Sequence, residues 1–135
     1  MKIITAFAVG LALAGSLSAA PAQAQNARSF VSGHGSDAAA CTLAAPCRTL
    51  AAAFAATNAG GEIDVLDPAG YGALTINKAI SIVNDGVGTA GVLQTVAGQN
   101  AIQINAGSSD SVTLRGLTID GLGTLTNTIV LDPAK

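Results

Sequence analysis

From Glu62 onward the apolar residues of this chain fall two apart. Ile63 and Val65, Leu74 and Ile76, Ile80 and Ile82, Ile102 and Ile104, Val112 and Leu114, Leu117 and Ile119, and Ile129 and Leu131 form such pairs. The positions between them are mostly polar: Asp64, Thr75, Ser81, Gln103, Thr113 and Thr118, with Val130 the exception. A period of two predicts short strands with one buried and one solvated face. Turn residues separate them, among them Asp67-Pro68-Ala69-Gly70, Asn77-Lys78, Asn84-Asp85-Gly86, Asn105-Ala106-Gly107 and Asp120-Gly121-Leu122-Gly123.

Upstream the period is that of a helix. Arg48 to Thr57 is alanine-rich, with Leu50 and Phe54 at i and i+4 as an apolar stripe. Thr49 is the candidate N-cap, without a capping box because Ala52 stands three residues on. Asn58 and Gly60-Gly61 read as the stop. Before the helix, Asn26 to Pro46 reads as a short strand around Phe30 followed by a loop.

The strand region also repeats itself. Leu74-Thr75-Ile76-Asn77 matches Ile102-Gln103-Ile104-Asn105 at an offset of 28, and Ile80-Ser81-Ile82 matches Val112-Thr113-Leu114 at an offset of 32. Units of this length without helices cannot close their own cores and must stack on one another. The expected fold is therefore all-β, a parallel β-helix solenoid, with the apolar stripe of the helix buried against the strands that follow. An antiparallel sandwich would call for longer strands and two-residue Asn-Gly hairpins.

The first residues read as a secretory leader: Lys2, an uncharged run from Ile3 to Leu17, Pro21, and the A-x-A site Ala22-Gln23-Ala24. The run is about 15 residues, short of the roughly 20 that span a bilayer. The expected parts are a signal peptide at 1–24, a strand and disulfide-clipped loop at 25–47, the capping helix and Gly turn at 48–61, and β-helix coils at 62–135. Export places the mature chain outside the cell or in the periplasm. There, Cys41 and Cys47 read as a disulfide. Loss of Lys2 leaves five cationic residues against eight acidic ones, a net charge of −3. That excludes the basic footprint of a nucleic-acid or anionic-membrane binder. Phe30, Phe54 and Tyr71 are the only aromatic residues after the leader.

Several stretches together resemble a known family. They are Cys47-Arg48-Thr49-Leu50 with the helix, Gly60 to Val65, Gly70-Tyr71-Gly72, Leu74 to Ile82 and Val112 to Gly121. These are similar to the N-terminal coils of secreted bacterial pectin-lyase-like right-handed β-helix proteins, and Val31-Ser32-Gly33 to Asp37 resembles secreted members. The resemblance implies that the helix is an N-terminal capping helix that roofs the first coil. Such proteins usually have many coils, and the two to three here depart from that, so a solenoid truncated after two to three coils is expected ahead of a fragment or a half-solenoid completed by a partner. The family's members include polysaccharide lyases, hydrolases, esterases, epimerases and adhesins, so fold does not choose an activity.

Candidate chemistry is sparse. Gly86-Val87-Gly88-Thr89-Ala90-Gly91 matches G-x-G-x-x-G, yet no good helix pattern follows, so it reads as a turn rather than a dinucleotide site. Asp64 with Asp67, or Asp85, Asp110 and Asp120 with Arg115, could pair on an outer face, although Asp beside Gly or Pro more often serves a turn. His34 lacks triad partners and reads as surface. No catalytic, cofactor-binding or metal-binding residue is assigned. Tyr71, Asp64 and Arg115 are the candidate glycan contacts, with Tyr71 weighed against a packing role. The expected function is a non-catalytic surface, structural or glycan-associated module with a polysaccharide or cell-surface partner. The alternative is the N-terminal part of a polysaccharide lyase or hydrolase.

Overall fold

The computed structural model describes residues 25–121, 123 and 128–132. The leader expected at 1–24 lies outside the described residues. Elements follow in the order β1 (Asn26–Val31), α1 (Leu50–Ala56), β2 (Thr57–Val65), β3 (Ala69–Gly70), β4 (Leu74–Ile76), β5 (Ile80–Val83), β6 (Ala90–Leu93), β7 (Ile102–Ile104), β8 (Val112–Arg115), β9 (Leu117–Asp120) and β10 (Ile129–Leu131).

The strands form three sheets, ordered β1-β2-β5-β8, β4-β7-β10 and β3-β6-β9. Every pairing between these strands is parallel. Three strands in sequence visit the three sheets in turn, and the next three pair beneath them. β2, β3 and β4 make one pass, β5, β6 and β7 the second, and β8, β9 and β10 the third. The internal repeat supplies the register. Leu74 pairs with Ile102 and Ile80 with Val112, at the two offsets seen in the sequence.

Parallel in-register pairing puts like beside like. Ser29, Ile63, Ile82 and Leu114 form one inward row, and Leu74, Ile102 and Ile129 another. Ile63, Ile82 and Ile102 are fully buried, each worth about 1.5–3 kcal/mol of apolar transfer. Burial declines along the stack: Ile76 is fully buried, whereas Leu131 two strands on in its row is 73 % exposed.

Helix α1 covers the other side, packing on β1, β2 and β4 with Leu50, Ala53 and Phe54 turned inward. The Thr49 hydroxyl accepts from Ala52 N, as its position before the helix predicts. The helix is shorter than Arg48 to Thr57 and does not end at the glycines. Thr57 is already extended, its N–H donating to Phe54 O, and β2 starts there rather than at Glu62. Gly60, at φ +75°, and Gly61 lie inside β2. They belong to a bulge, since Asn26 pairs with Thr57 but Arg28 pairs with Glu62. The Thr57 hydroxyl donates to Ala53 O at 2.6 Å and meets Ser29 Oγ at 2.8 Å, which satisfies both buried hydroxyls at this sharp passage. Lys78 donates to Phe54 O at 2.9 Å and to Thr57 O, a cation on the helix's last carbonyls.

The cysteines are paired, Cys41 with Cys47, at a Cα separation of 4.6 Å. The bridge closes the loop that follows Asp37. That carboxylate accepts from Arg48 N (2.8 Å), Thr49 N (2.9 Å) and Thr49 Oγ1 (3.0 Å), fixing the start of α1. Gly86 to Gly91 is a turn running into β6, with a strand where a dinucleotide fingerprint needs a helix. Among the described residues no helix is long and apolar enough to cross a membrane.

Candidate functional site

The outer face of the β1-β2-β5-β8 sheet gathers most of the ionic contacts. Its register makes two outward rows: Arg28, Glu62, Ser81 and Thr113, then Phe30, Asp64, Val83 and Arg115. Asp64 and Arg115 therefore share a face, roughly 10 Å apart at the usual spacing of two strands. The guanidinium of Arg28 bridges the acids of β2, making an ion pair with Asp64 and another with Glu62 at 3.2 Å. It also lies 5.6 Å from the centre of the Phe30 ring. Hydrogen bonding to Asp64, and its charge, raise the Arg28 pKa above its ordinary value. Further along, Arg115 pairs with Asp85, and both are well exposed.

This arrangement changes how the candidate residues read. Asp64 points outward, as alternation predicts, but its side chain is only 12 % exposed beneath Arg28. A carboxylate paired and covered in this way holds β1 to β2. Arg115 is exposed and tied to Asp85 across the turn. The wider acidic grouping does not assemble. Asp85 lies at the charged face, Asp110 accepts from Gly107 N at 2.8 Å within its own turn, and Asp120 belongs to β9 in another sheet.

Tyr71 is fully buried and packs in the core. Its hydroxyl donates toward Asp67, 2.6 Å from the carbonyl and 2.8 Å from Oδ1. Asp67 also accepts from Ser32 Oγ and Gly33 N, both at 2.6 Å. These bonds, the one from Ser32 foremost, hold the Asp67 pKa below its usual value. Burial, and then Asp67, push Tyr71 well above the ordinary phenol range. The cluster ties the loop after β1 to the corner before β3. His34 is exposed, with its backbone N–H on Ser32 Oγ.

No family model, curated protein or solved structure matches the chain. A cavity of about 520 Å³ lies between α1 and the disulfide loop, but Ala52, Ala55 and Ala56 form much of its wall, and Asp37, its one acid, is engaged in capping the helix. Among the described residues no three His, Cys, Asp or Glu side chains come together to hold a metal ion. Arg28 and Phe30 are not among the candidates that the sequence suggests, although Phe30 two residues after Arg28 in a strand is enough to place both on one face.

Proposed function

We propose that this chain forms the N-terminal coils of a right-handed parallel β-helix in an exported protein, and that it serves as a non-catalytic structural or surface module associated with polysaccharide or a cell-surface partner. The observation that carries the reading is how the charged groups are used. Arg28 with Asp64 joins β1 to β2, Asp85 with Arg115 joins the end of β5 to β8, and Asp67 with Ser32 joins the corner of the first pass to the strand above. These contacts span 36, 30 and 35 residues of chain and hold successive passes in place. A catalytic acid or base must reach the substrate's proton, and Asp64 is paired with Arg28 with its side chain only 12 % exposed.

The parallel order of all three sheets and the 28- and 32-residue register support the solenoid reading. A second reading, the N-terminal part of a polysaccharide-active enzyme with its reacting groups on further coils, draws on the exposure of Ile129 and Leu131 in inward rows. One experiment addresses the first reading. Purified chain is incubated with soluble polygalacturonate and with insoluble polysaccharide. The expected result is cosedimentation with the insoluble polymer and no new reducing ends or unsaturated products from the soluble one. Turnover by the pure chain would overturn the non-catalytic reading.

A further inference from the structure

A small uncharged pocket opens beside β4 and β7, on a different sheet from the charged ladder. Its volume is about 220 Å³. Four carboxamides, Gln94, Gln99, Asn100 and Gln103, and the hydroxyl of Thr75 line it, with Leu74 and Ala73 as the apolar part. Thr75 and Gln103 stand side by side in register on the outer face of their sheet. Gln94, Gln99 and Asn100 come from the loop between β6 and β7. No lining residue is ionisable.

The amides hold one another in place. Asn100 Nδ2 donates to Gln103 Oε1 at 2.7 Å, and Gln103 Nε2 donates to Asn105 Oδ1 at 2.9 Å. Gln94 Nε2 reaches Asn100 O at 3.3 Å and Gln94 Oε1 accepts from Val96 N at 3.1 Å. One member is left over: Asn100 Oδ1 is closed off from solvent and has no hydrogen-bond partner. That atom is sealed even from water, so it is an internal cost of the network and not a contact point for a ligand.

We propose that this pocket binds one ring of a neutral sugar. Carboxamides both donate and accept, which matches hydroxyls that do the same, and the network is already ordered before a ligand arrives. The absence of a cation among the lining residues removes any advantage for an acidic sugar. The volume falls below the roughly 300–1,000 Å³ of pockets for larger ligands, which limits the occupant to about one ring. No aromatic face lines it, so binding is weak, with a dissociation constant of about 1 mM or above. The inference rests on the glycan-associated side of the reading above and gives it a place on the molecule.

The test is titration of the isotope-labelled mature chain with glucose, galactose, mannose and galacturonate, read by the side-chain amide signals in nuclear magnetic resonance. With at least one neutral hexose the Asn100 and Gln103 amide pairs shift and saturate, and galacturonate binds more weakly. Gln103→Ala lowers the affinity about tenfold with an otherwise unchanged backbone spectrum. Thr75→Val, an exposed change at the pocket rim, also lowers it and guards against misfolding of the first variant. Amide signals unmoved by all three neutral hexoses would mean that water alone fills the site and would overturn the proposal. So would equal binding of galacturonate, or affinity unchanged in both variants. Cosedimentation with insoluble polysaccharide that survives the loss of this pocket would sink the pocket and leave the surface-module reading standing.

Discussion

Replacing Asn84 with alanine removes a buried corner post between two passes of the chain. The side chain is 8 % exposed and makes four hydrogen bonds. Nδ2 donates to Gly88 O at 2.7 Å and to Gly116 O at 2.9 Å; Oδ1 accepts from Gly86 N and Val87 N, both at 3.2 Å. The bond to Gly116 reaches 32 residues along the chain and ties the second pass to the third. A net 0.5–1 kcal/mol for each bond gives a loss of about 2–4 kcal/mol, the lower end applying where water replaces the lost partner at the exposed turn. With a urea m-value of about 1–3 kcal/mol/M for a small domain, the unfolding midpoint should fall by roughly 1–2 M. The assay is urea unfolding of the purified chain followed by far-ultraviolet circular dichroism. Asn84→Asp should be at least as damaging at neutral pH, because a carboxylate cannot donate to the two carbonyls. Gly116→Ala gives an independent check: its φ is +69° and a Cβ would sit 2.3 Å from Asn84 O. An Asn84→Ala midpoint within about 0.3 M of the parent would refute the idea that this side chain joins the passes.

Lys78→Met keeps the length of the side chain but removes its bonds to Phe54 O and Thr57 O and its charge 4.5 Å from the Phe54 ring centre. A loss of about 1–2 kcal/mol is expected, seen as a lower thermal midpoint. Tyr71→Phe should cost about 1–2 kcal/mol in the same assay by removing the hydroxyl from Asp67. The pH dependence at Asp67 has a definite sign. Its folded pKa lies below its unfolded value near 3.8, so its contribution is complete above that value and is lost as pH falls through the folded pKa. Asp67→Asn should therefore flatten the acid limb of the stability–pH curve. The disulfide should resist reductant in native buffer, since Cys41 is 2 % exposed and Cys47 fully buried, and react once the chain is unfolded; its removal should cost about 2 kcal/mol.

The strands that are plain in the sequence are those with aliphatic alternation and an internal copy. β4 and β7, and β5 and β8, can be aligned from their residues alone, and their offsets are the observed register. β3 and β6 are not legible in this way. Ala69-Gly70 reads as a turn and Ala90-Gly91-Val92-Leu93 has no alternation, yet both extend because β9 and each other supply pairing partners. The helix stop is misplaced by sequence pattern because two glycines after an alanine run also suit a strand bulge. At the charged face, alternation gives the direction of Asp64 but not its cover, which comes from Arg28, 36 residues earlier. The flanking glycines make Tyr71 look accessible, whereas its burial depends on the strands and loop packed around that corner. The amide pocket leaves no periodic trace, since Gln94, Gln99 and Asn100 lie in a loop.

Successive passes stack in parallel with like residues in register, and the buried rows and cross-pass bonds all follow from that. Backbone nuclear Overhauser contacts on the labelled chain test it most directly. The predicted result is a ladder of amide-to-α-proton contacts linking residues 61–64 of β2 to 80–83 of β5, and these to 112–115 of β8, all rising in the same chain direction. Close α-proton pairs across these strands, the mark of antiparallel neighbours, would contradict it.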